Sequence, residues 1–306
     1  MIASITFHLI AENKSMTSSI KKNTILITGA SGQLGNELQN LSIEYPAYNF
    51  LFTTRKELPI EDKKAINIFF EQHQIQYCIN CAAYTAVDKA ESEKEKAFLI
   101  NAHAVGFLAD ACNKHQTKFI HISTDYVYDE SIKRPLKEDD AVAPLSVYGL
   151  SKLKGEELVL SKNPSSLIIR TSWVYSAYGN NFVKTMLRLF KEKESINVIN
   201  DQQGCPTYAA DIASIIMEFI NRMKVSEYSG IVNYCNEGIT TWFDFAVAIK
   251  EFVNTSCNVL PIQTSQYPTL AKRPQYSVLD TSKVKKMLEI DIPFWKDSLF
   301  KCMKML

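Results

Sequence analysis

The chain has 306 residues, 46% hydrophobic and 22% charged, enough for one large domain or a main domain with a smaller lobe. Its 34 basic and 33 acidic residues leave a net charge of +1, and no basic run interleaves with the aromatic residues, so nucleic acid is not an expected partner. No apolar run approaches the roughly 20 residues that span a bilayer, which argues against a membrane location. The seven cysteines are scattered and odd in number, a usage that fits the reducing cytoplasm better than a disulfide framework.

Residues 1–22 hold a short apolar piece without a basic start or a small-residue cleavage site, so they read as a mobile leader ahead of the fold, with Met16 an alternative start. Strand-like and helix-like segments then alternate. A strand is expected over 24–28, a helix over 33–42 and a strand over 50–53. A helix over 62–73 follows, with Asp62 at its N-cap, then a strand over 77–81 and a long helix over 92–114. A strand over 118–122, a helix over 147–160 and a strand over 166–170 complete the regular part. Repeated βα units with nearly continuous apolar strands predict an α/β fold, a Rossmann-type doubly wound parallel sheet covered on both faces.

Beyond about residue 180 the pattern loosens. Helices over 182–192, 208–223 and 242–252 sit among prolines at 206, 261, 268 and 274. The expected organisation is a dinucleotide-binding domain over 23–172 and a smaller C-terminal substrate-binding lobe drawn mainly from 173–306, interwoven with it.

Gly29, Gly32 and Gly35 follow the first strand and open a helix, with Gln33 and Leu34 between them. In that setting the first glycine permits a tight turn, the second lets backbone approach a pyrophosphate, and the third allows close packing. The helix N-terminus would offer free N–H groups to phosphate. After the second strand stand Arg55 and Lys56 rather than an acid, which favours NADPH over NADH because a base accommodates a 2′-phosphate. At the end of the fourth strand, Ser123 and Thr124 could each donate to a substrate carbonyl; spacing alone does not separate them, and Thr124 is the preferred choice. Tyr148 and Lys152 stand at i, i+4 on one helical face. An ammonium beside a phenol stabilises the phenolate, so Lys152 is expected to draw the Tyr148 pKa down toward working pH. Cys78 and Cys81 form a CxxC in an apolar strand with no second metal-ligand pair, and read as core residues. His121, alternating with apolar neighbours, reads as a satisfied sheet histidine.

Taken together, these residues resemble the extended short-chain dehydrogenase/reductase family and, within it, the dTDP-4-dehydrorhamnose reductases. The similarity runs from about Thr24 to the C-terminus through segments such as Ser123-Thr124-Asp125-Tyr126-Val127, Tyr148-Gly149-Leu150-Ser151-Lys152 and Arg170-Thr171-Ser172-Trp173. The resemblance implies NAD(P)H-dependent reduction of the C4 ketone of dTDP-4-dehydro-L-rhamnose, a step of dTDP-rhamnose and hence O-antigen synthesis. It implies that Tyr148 donates the proton, Lys152 tunes it and binds the nicotinamide ribose, and Thr124 polarises the carbonyl. Cys81, Ala82 and Ala83 would line the cofactor trough. Thr124, Asp125 and Trp173 would hold the sugar nucleotide, with Asn181 and Arg273. Some members of the family dimerise around Mg²⁺ through glutamates that find no residue-by-residue match here, so a homodimer and a metal role stay open. Cys81 and Pro59-Ile60 depart from the family's usual residues. Two alternatives are a reductase or epimerase of another nucleotide sugar, and a non-catalytic module like the regulatory subunit of methionine adenosyltransferase.

Overall fold

The computed structural model describes residues 22–223 and 228–306; residues 1–21 of the leader, including Met16, lie outside the described residues. Strands β1 (Asn23–Thr28), β2 (Tyr48–Thr53), β3 (Tyr77–Asn80), β4 (Lys118–Thr124), β5 (Leu167–Thr171) and β6 (Gly230–Asn233) form a six-stranded sheet. The order is β6-β5-β4-β3-β1-β2, and every neighbouring pair is parallel. Strand order reverses between β1 and β3, so this switch point opens a crevice at the carboxyl ends of the strands.

Side chains alternate faces along a strand, and the core divides accordingly. Ile25, Ile27, Ile79, Ile120 and Ile169 pack on one face with Leu34 and Leu38 of α1 (Gln33–Leu41). Leu26, Cys78, Phe119 and Ile168 point the other way. They meet Ile66 and Phe70 of α2 (Lys63–Gln72), Leu108 of α3 (the helical run over 94–114) and Val159 of α4 (Val147–Lys162). Both faces are buried, which is why these strands read as continuous apolar runs. Asp62 caps α2 as expected, accepting from Lys64 and Ala65 N–H.

Two features depart from the expected elements. The helix over 94–114 is interrupted by a π-helical turn, Leu99–Ala104, between Lys94–Phe98 and Val105–Lys114. The irregularity lets the buried Asn101 turn its amide into the fold, where it bonds both backbone groups of Tyr84 (2.8 and 3.0 Å) and the Ser151 hydroxyl (3.0 Å). The second is β6, a short edge strand from the loop-rich region that pairs with β5. It shows how far the C-terminal segment is woven into the main sheet. Helices α5 (Phe182–Glu192), α6 (Ala209–Arg222), α7 (Trp242–Lys250), α8 (Ser282–Leu288) and α9 (Trp295–Met303) complete the chain. Of these, α6 and α8 join the core beneath α1, while α5, α7 and α9 gather around Phe190, Phe245 and Trp295 in a separate cluster.

Helix α4 approaches the π-helical turn so closely that a Cβ on Gly155 would stand 2.1 Å from the Asn101 carbonyl oxygen. Gly155→Ala should therefore destabilise the protein by about 1–3 kcal/mol through overpacking, although alanine is the better helix former. Chemical denaturation of the two proteins checks this; an unchanged or raised midpoint would contradict the packing.

Candidate active site

The carboxyl ends of β1, β3, β4 and β5 and the N-termini of α1 and α4 surround a cavity of about 580 Å³, within the range of small-molecule sites. Its floor at one end is the turn after β1. Gly29 there has φ +68°, and a Cβ on it would lie 2.6 Å from the Ala82 backbone nitrogen, so only glycine lets the β1 and β3 loops meet. Gly32 then starts α1 with no side chain capping it and no acidic residue in the first turn. Unclaimed N–H groups with positive dipole character suit a phosphate, so this end fits a dinucleotide.

Gly32, Gln33, Leu34, Cys81 and Ala83 line the cavity on this side, while Gly29, Gly35 and Ala82 stand behind the lining and shape the loops. Thr124, Asp125, Tyr148, Lys152 and Trp173 line the other side. The strand ends and α4 thus bring the three expected catalytic side chains to one wall. The Ser146 hydroxyl accepts from Gly149 N–H and begins the helix just ahead of Tyr148.

Two buried polar systems flank Tyr148. On one side, the Thr124 hydroxyl donates to Asp125 Oδ1 at 2.8 Å. Thr124 also stands beside the Tyr148 phenol, where its hydroxyl favours the phenolate. Burial raises the Asp125 carboxyl to about 6, against the opposing pull of the hydrogen bond from Thr124. On the other side, Lys152 Nζ donates to the Ile122 carbonyl at 2.6 Å and lies 3.3 Å from His121 Nε2. Burial pushes Lys152 down to about 8, partly offset by Glu156, and drives His121 well below its ordinary value. The expectation that Lys152 draws the Tyr148 phenol downward is not met. Burial, the dominant cause, pushes the phenol up to about 12, Thr124 opposes it, and Asp125 adds to it.

Trp173 holds a left-handed backbone, φ +46°, unusual for a bulky residue and common where structure is strained for function. Its indole stacks on Trp242 with ring centroids 3.5 Å apart and planes 7° from parallel. Trp242 also borders a second cavity, of about 700 Å³, between α5 and the loop over 264–275. Arg273 lines that second cavity and forms an ion pair with Asp88 at 2.6 Å. Asn181 lines neither cavity: it caps α5 and donates to Gln33 Oε1 at 3.0 Å, so it orders a cavity residue from behind. Arg55 lies on the surface after β2, ion-paired with Glu61, and is also outside both linings.

A sequence model of the family described as "RmlD substrate binding domain" matches residues 23–306. The dTDP-4-dehydrorhamnose reductase of Aggregatibacter actinomycetemcomitans is 41% identical over 283 residues, covering 90% of this chain and 96% of that one. The chain belongs to the dTDP-4-dehydrorhamnose reductase family. These are NAD(P)-dependent oxidoreductases. Solved structures agree. The dTDP-4-dehydrorhamnose reductase of Bacillus anthracis, in complex with NADP, has a TM-score of 0.88 at 36% identity, covering 94% of this chain and all (100%) of that one. That of Clostridium acetobutylicum has a TM-score of 0.87 at 39% identity, covering 92% and 99%.

Within this family member, several cavity residues escaped the sequence reading. Trp242 carried only the signal of a helix start. Thr171 ends β5 with a buried hydroxyl that has no hydrogen-bond partner, a recurring mark of a ligand site, and the hydroxyl of Ser123, the alternative that the sequence left beside Thr124, is likewise buried without one. Among the described residues no group of three or more His, Cys, Asp or Glu could hold a metal ion, so the metal role left open by the sequence finds no support in the fold. No helix among them is long and apolar enough to cross a membrane.

The raised carboxyl of Asp125 has a consequence for stability. The folded protein binds its proton more tightly than the unfolded chain, whose aspartates titrate near 3.9. The contribution is therefore full below the unfolded value and is lost as pH rises through about 6. Asp125→Asn should lack this loss, so the melting temperature of the variant relative to wild type should climb between pH 4 and 7. A difference that stays flat with pH would show that the carboxyl titrates normally.

Proposed function

We propose that this protein reduces the C4 ketone of dTDP-4-dehydro-L-rhamnose to the alcohol of dTDP-L-rhamnose, using NADPH, with Tyr148 as proton donor. The observation that carries the reading is the meeting of Thr124, Tyr148 and Lys152 on one wall of the cavity, opposite the Gly32–Leu34 turn, in a chain of this family.

NADPH, when bound, supplies hydride to the carbonyl carbon. The chain's own residues handle the oxygen. Tyr148, its phenol held up at about 12, is fully protonated through the neutral range and ready to give its hydrogen to the oxygen as negative charge builds there. Thr124 meets the same oxygen by turning its hydroxyl hydrogen away from Asp125, a turn that costs least when Asp125 carries its own proton. Lys152 faces the cavity behind Tyr148, where its nitrogen can reach ribose hydroxyls. The open α1 N-terminus, with Gly32, Gln33 and Leu34, receives the pyrophosphate.

Preference for NADPH rests on Arg55 and on the NADP complex of the Bacillus anthracis relative. The guanidinium is paired with Glu61 at the surface, where an ion pair is worth about 0–1 kcal/mol, so a 2′-phosphate can displace the glutamate at little cost. Trp173 and Asp125, which line the cavity, would hold the sugar nucleotide, with Arg273 from the adjoining cavity.

Tyr148→Phe should lower the rate of NADPH oxidation with dTDP-4-dehydro-L-rhamnose by about 10²–10⁴-fold while NADPH binding, read by fluorescence titration, stays near normal. Turnover within a few-fold of wild type would remove Tyr148 from its role. A panel of dTDP, UDP and GDP keto-sugars tests the substrate: faster reduction of a UDP or GDP sugar would replace the proposed one.

A further inference from the structure

Behind the cavity wall runs a chain of buried side chains that ends on Lys152, and the reaction just described uses none of its other members. It crosses the sheet from β1 to α4 through Thr28, Asn80, His121 and Lys152. Its polarity follows from one backbone group. Ala82 N–H donates to Asn80 Oδ1 at 3.2 Å, and the Thr28 hydroxyl donates to the same oxygen at 2.7 Å. Reversing the amide would set an NH₂ against the Ala82 N–H, so the orientation is fixed. The Asn80 NH₂ therefore faces His121 Nδ1, 3.0 Å away, and that nitrogen must be the acceptor. His121 is wholly buried and stays uncharged, so its one hydrogen lies on Nε2. Nε2 points at Lys152 Nζ.

An ammonium at Nζ would set N–H against N–H across 3.3 Å; an amine would accept from His121 with its lone pair and still donate to the Ile122 carbonyl. We propose that His121 is a positioning residue for the Tyr148/Lys152 pair: held in its Nε2–H form by Asn80, it donates to Lys152 Nζ and favours the uncharged amine form of that nitrogen in the free protein. The charged surroundings do not override this geometry. Glu156, one turn along α4, is the acidic group nearest in effect, and its carboxylate is already bonded on both oxygens by Arg170 from β5, at 2.6–3.2 Å. Tyr148 on the same helix is an uncharged phenol, Asp125 on the far side of it is bonded to Thr124, and Thr28 and Asn80 bring no charge. Burial acts in the same direction and lowers Lys152 on its own. Ligand oxygens entering the cavity would then favour the ammonium, which has a third hydrogen to offer.

The inference deepens the proposed catalytic role of Lys152, and its test needs no turnover. In protein labelled with ¹⁵N-histidine, long-range ¹H–¹⁵N correlation at neutral pH should show His121, assigned by its contact to Lys152, with a protonated Nε2 and a bare Nδ1. A protonated Nδ1 would overturn the proposal without any variant. In protein labelled at lysine ¹³Cε, the Lys152 titration should move up by about one pH unit in His121→Leu, where the donor is gone. Asn80→Ala, which releases the imidazole to take either form, should move it in the same direction and populate the Nδ1–H form. A Lys152 midpoint that stays put in whichever of these variants folds would show that His121 has no hold on it. Absence of keto-sugar reduction would defeat the proposed function and leave both spectra as they are.

Discussion

Lys152 carries its nitrogen into a region that water does not reach, and much of the surrounding structure exists to make that tolerable. A buried amine is costly unless every hydrogen and lone pair has a partner. To bring the nitrogen to the end of β4, α4 must lie against the sheet and the π-helical turn more closely than ordinary helices pack. Gly155 fits against the Asn101 carbonyl for that reason, and the turn itself frees Asn101 to bond Tyr84 and Ser151. The same closeness buries Glu156, which is stabilised only because Arg170 from β5 meets it with three hydrogen bonds. Remove the arginine and a buried carboxylate is left unpaired beside the lysine. The polar interior is thus one connected arrangement, with the helix packing as its cause.

The titratable groups of the wall share one tendency in the free protein: each is driven toward its neutral form. Asp125 is raised to about 6, Tyr148 to about 12, and Lys152 is lowered to about 8. Desolvation is the largest cause in all three, which marks the cavity as a place of low polarity rather than a cluster of opposed charges. Such a setting holds a phenol as a donor instead of priming it as a phenolate. It also leaves Lys152 little electrostatic influence over Tyr148, which explains why an argument from i, i+4 spacing alone predicts the wrong direction for the phenol. Spacing placed the two side chains on one face correctly. It could not report how much water the fold removes.

The parts of the fold that were legible in the sequence are those written locally. Asp62 caps a helix because its carboxylate reaches two N–H groups a few residues away, and the apolar strands are visible because both sheet faces are buried. The glycine turn is legible because Gly29 must take a positive φ against the Ala82 backbone. What was not legible depends on distant residues. Nothing local distinguishes Gly230–Asn233 as a sheet strand; it becomes one because β5 offers an unpaired edge. The break in α3 is set by Tyr84 and Ser151, not by any helix-breaking residue. His121 looked like an ordinary sheet histidine, and in packing it is one. Its tautomer follows from an amide orientation fixed by Ala82, just beyond the end of the neighbouring strand.

The same distinction separates the proposed chemistry from the proposed recognition. The wall of Thr124, Tyr148 and Lys152 is built on β4 and α4, rigid elements anchored in the sheet. The aromatic pair beside it is built across the chain: Trp173 follows β5, while Trp242 opens α7 after β6. Their face-to-face stack at 3.5 Å lies where the 580 Å³ and 700 Å³ cavities adjoin, and Trp173 keeps a left-handed backbone to reach it. A strained residue persists only where its surroundings over-determine it. Here the surroundings come from the C-terminal segment, so a change in that segment alters the border between the cavities without touching Tyr148 or Lys152. The shape of that border can therefore vary with the C-terminal half while the wall of Thr124, Tyr148 and Lys152 stays as it is.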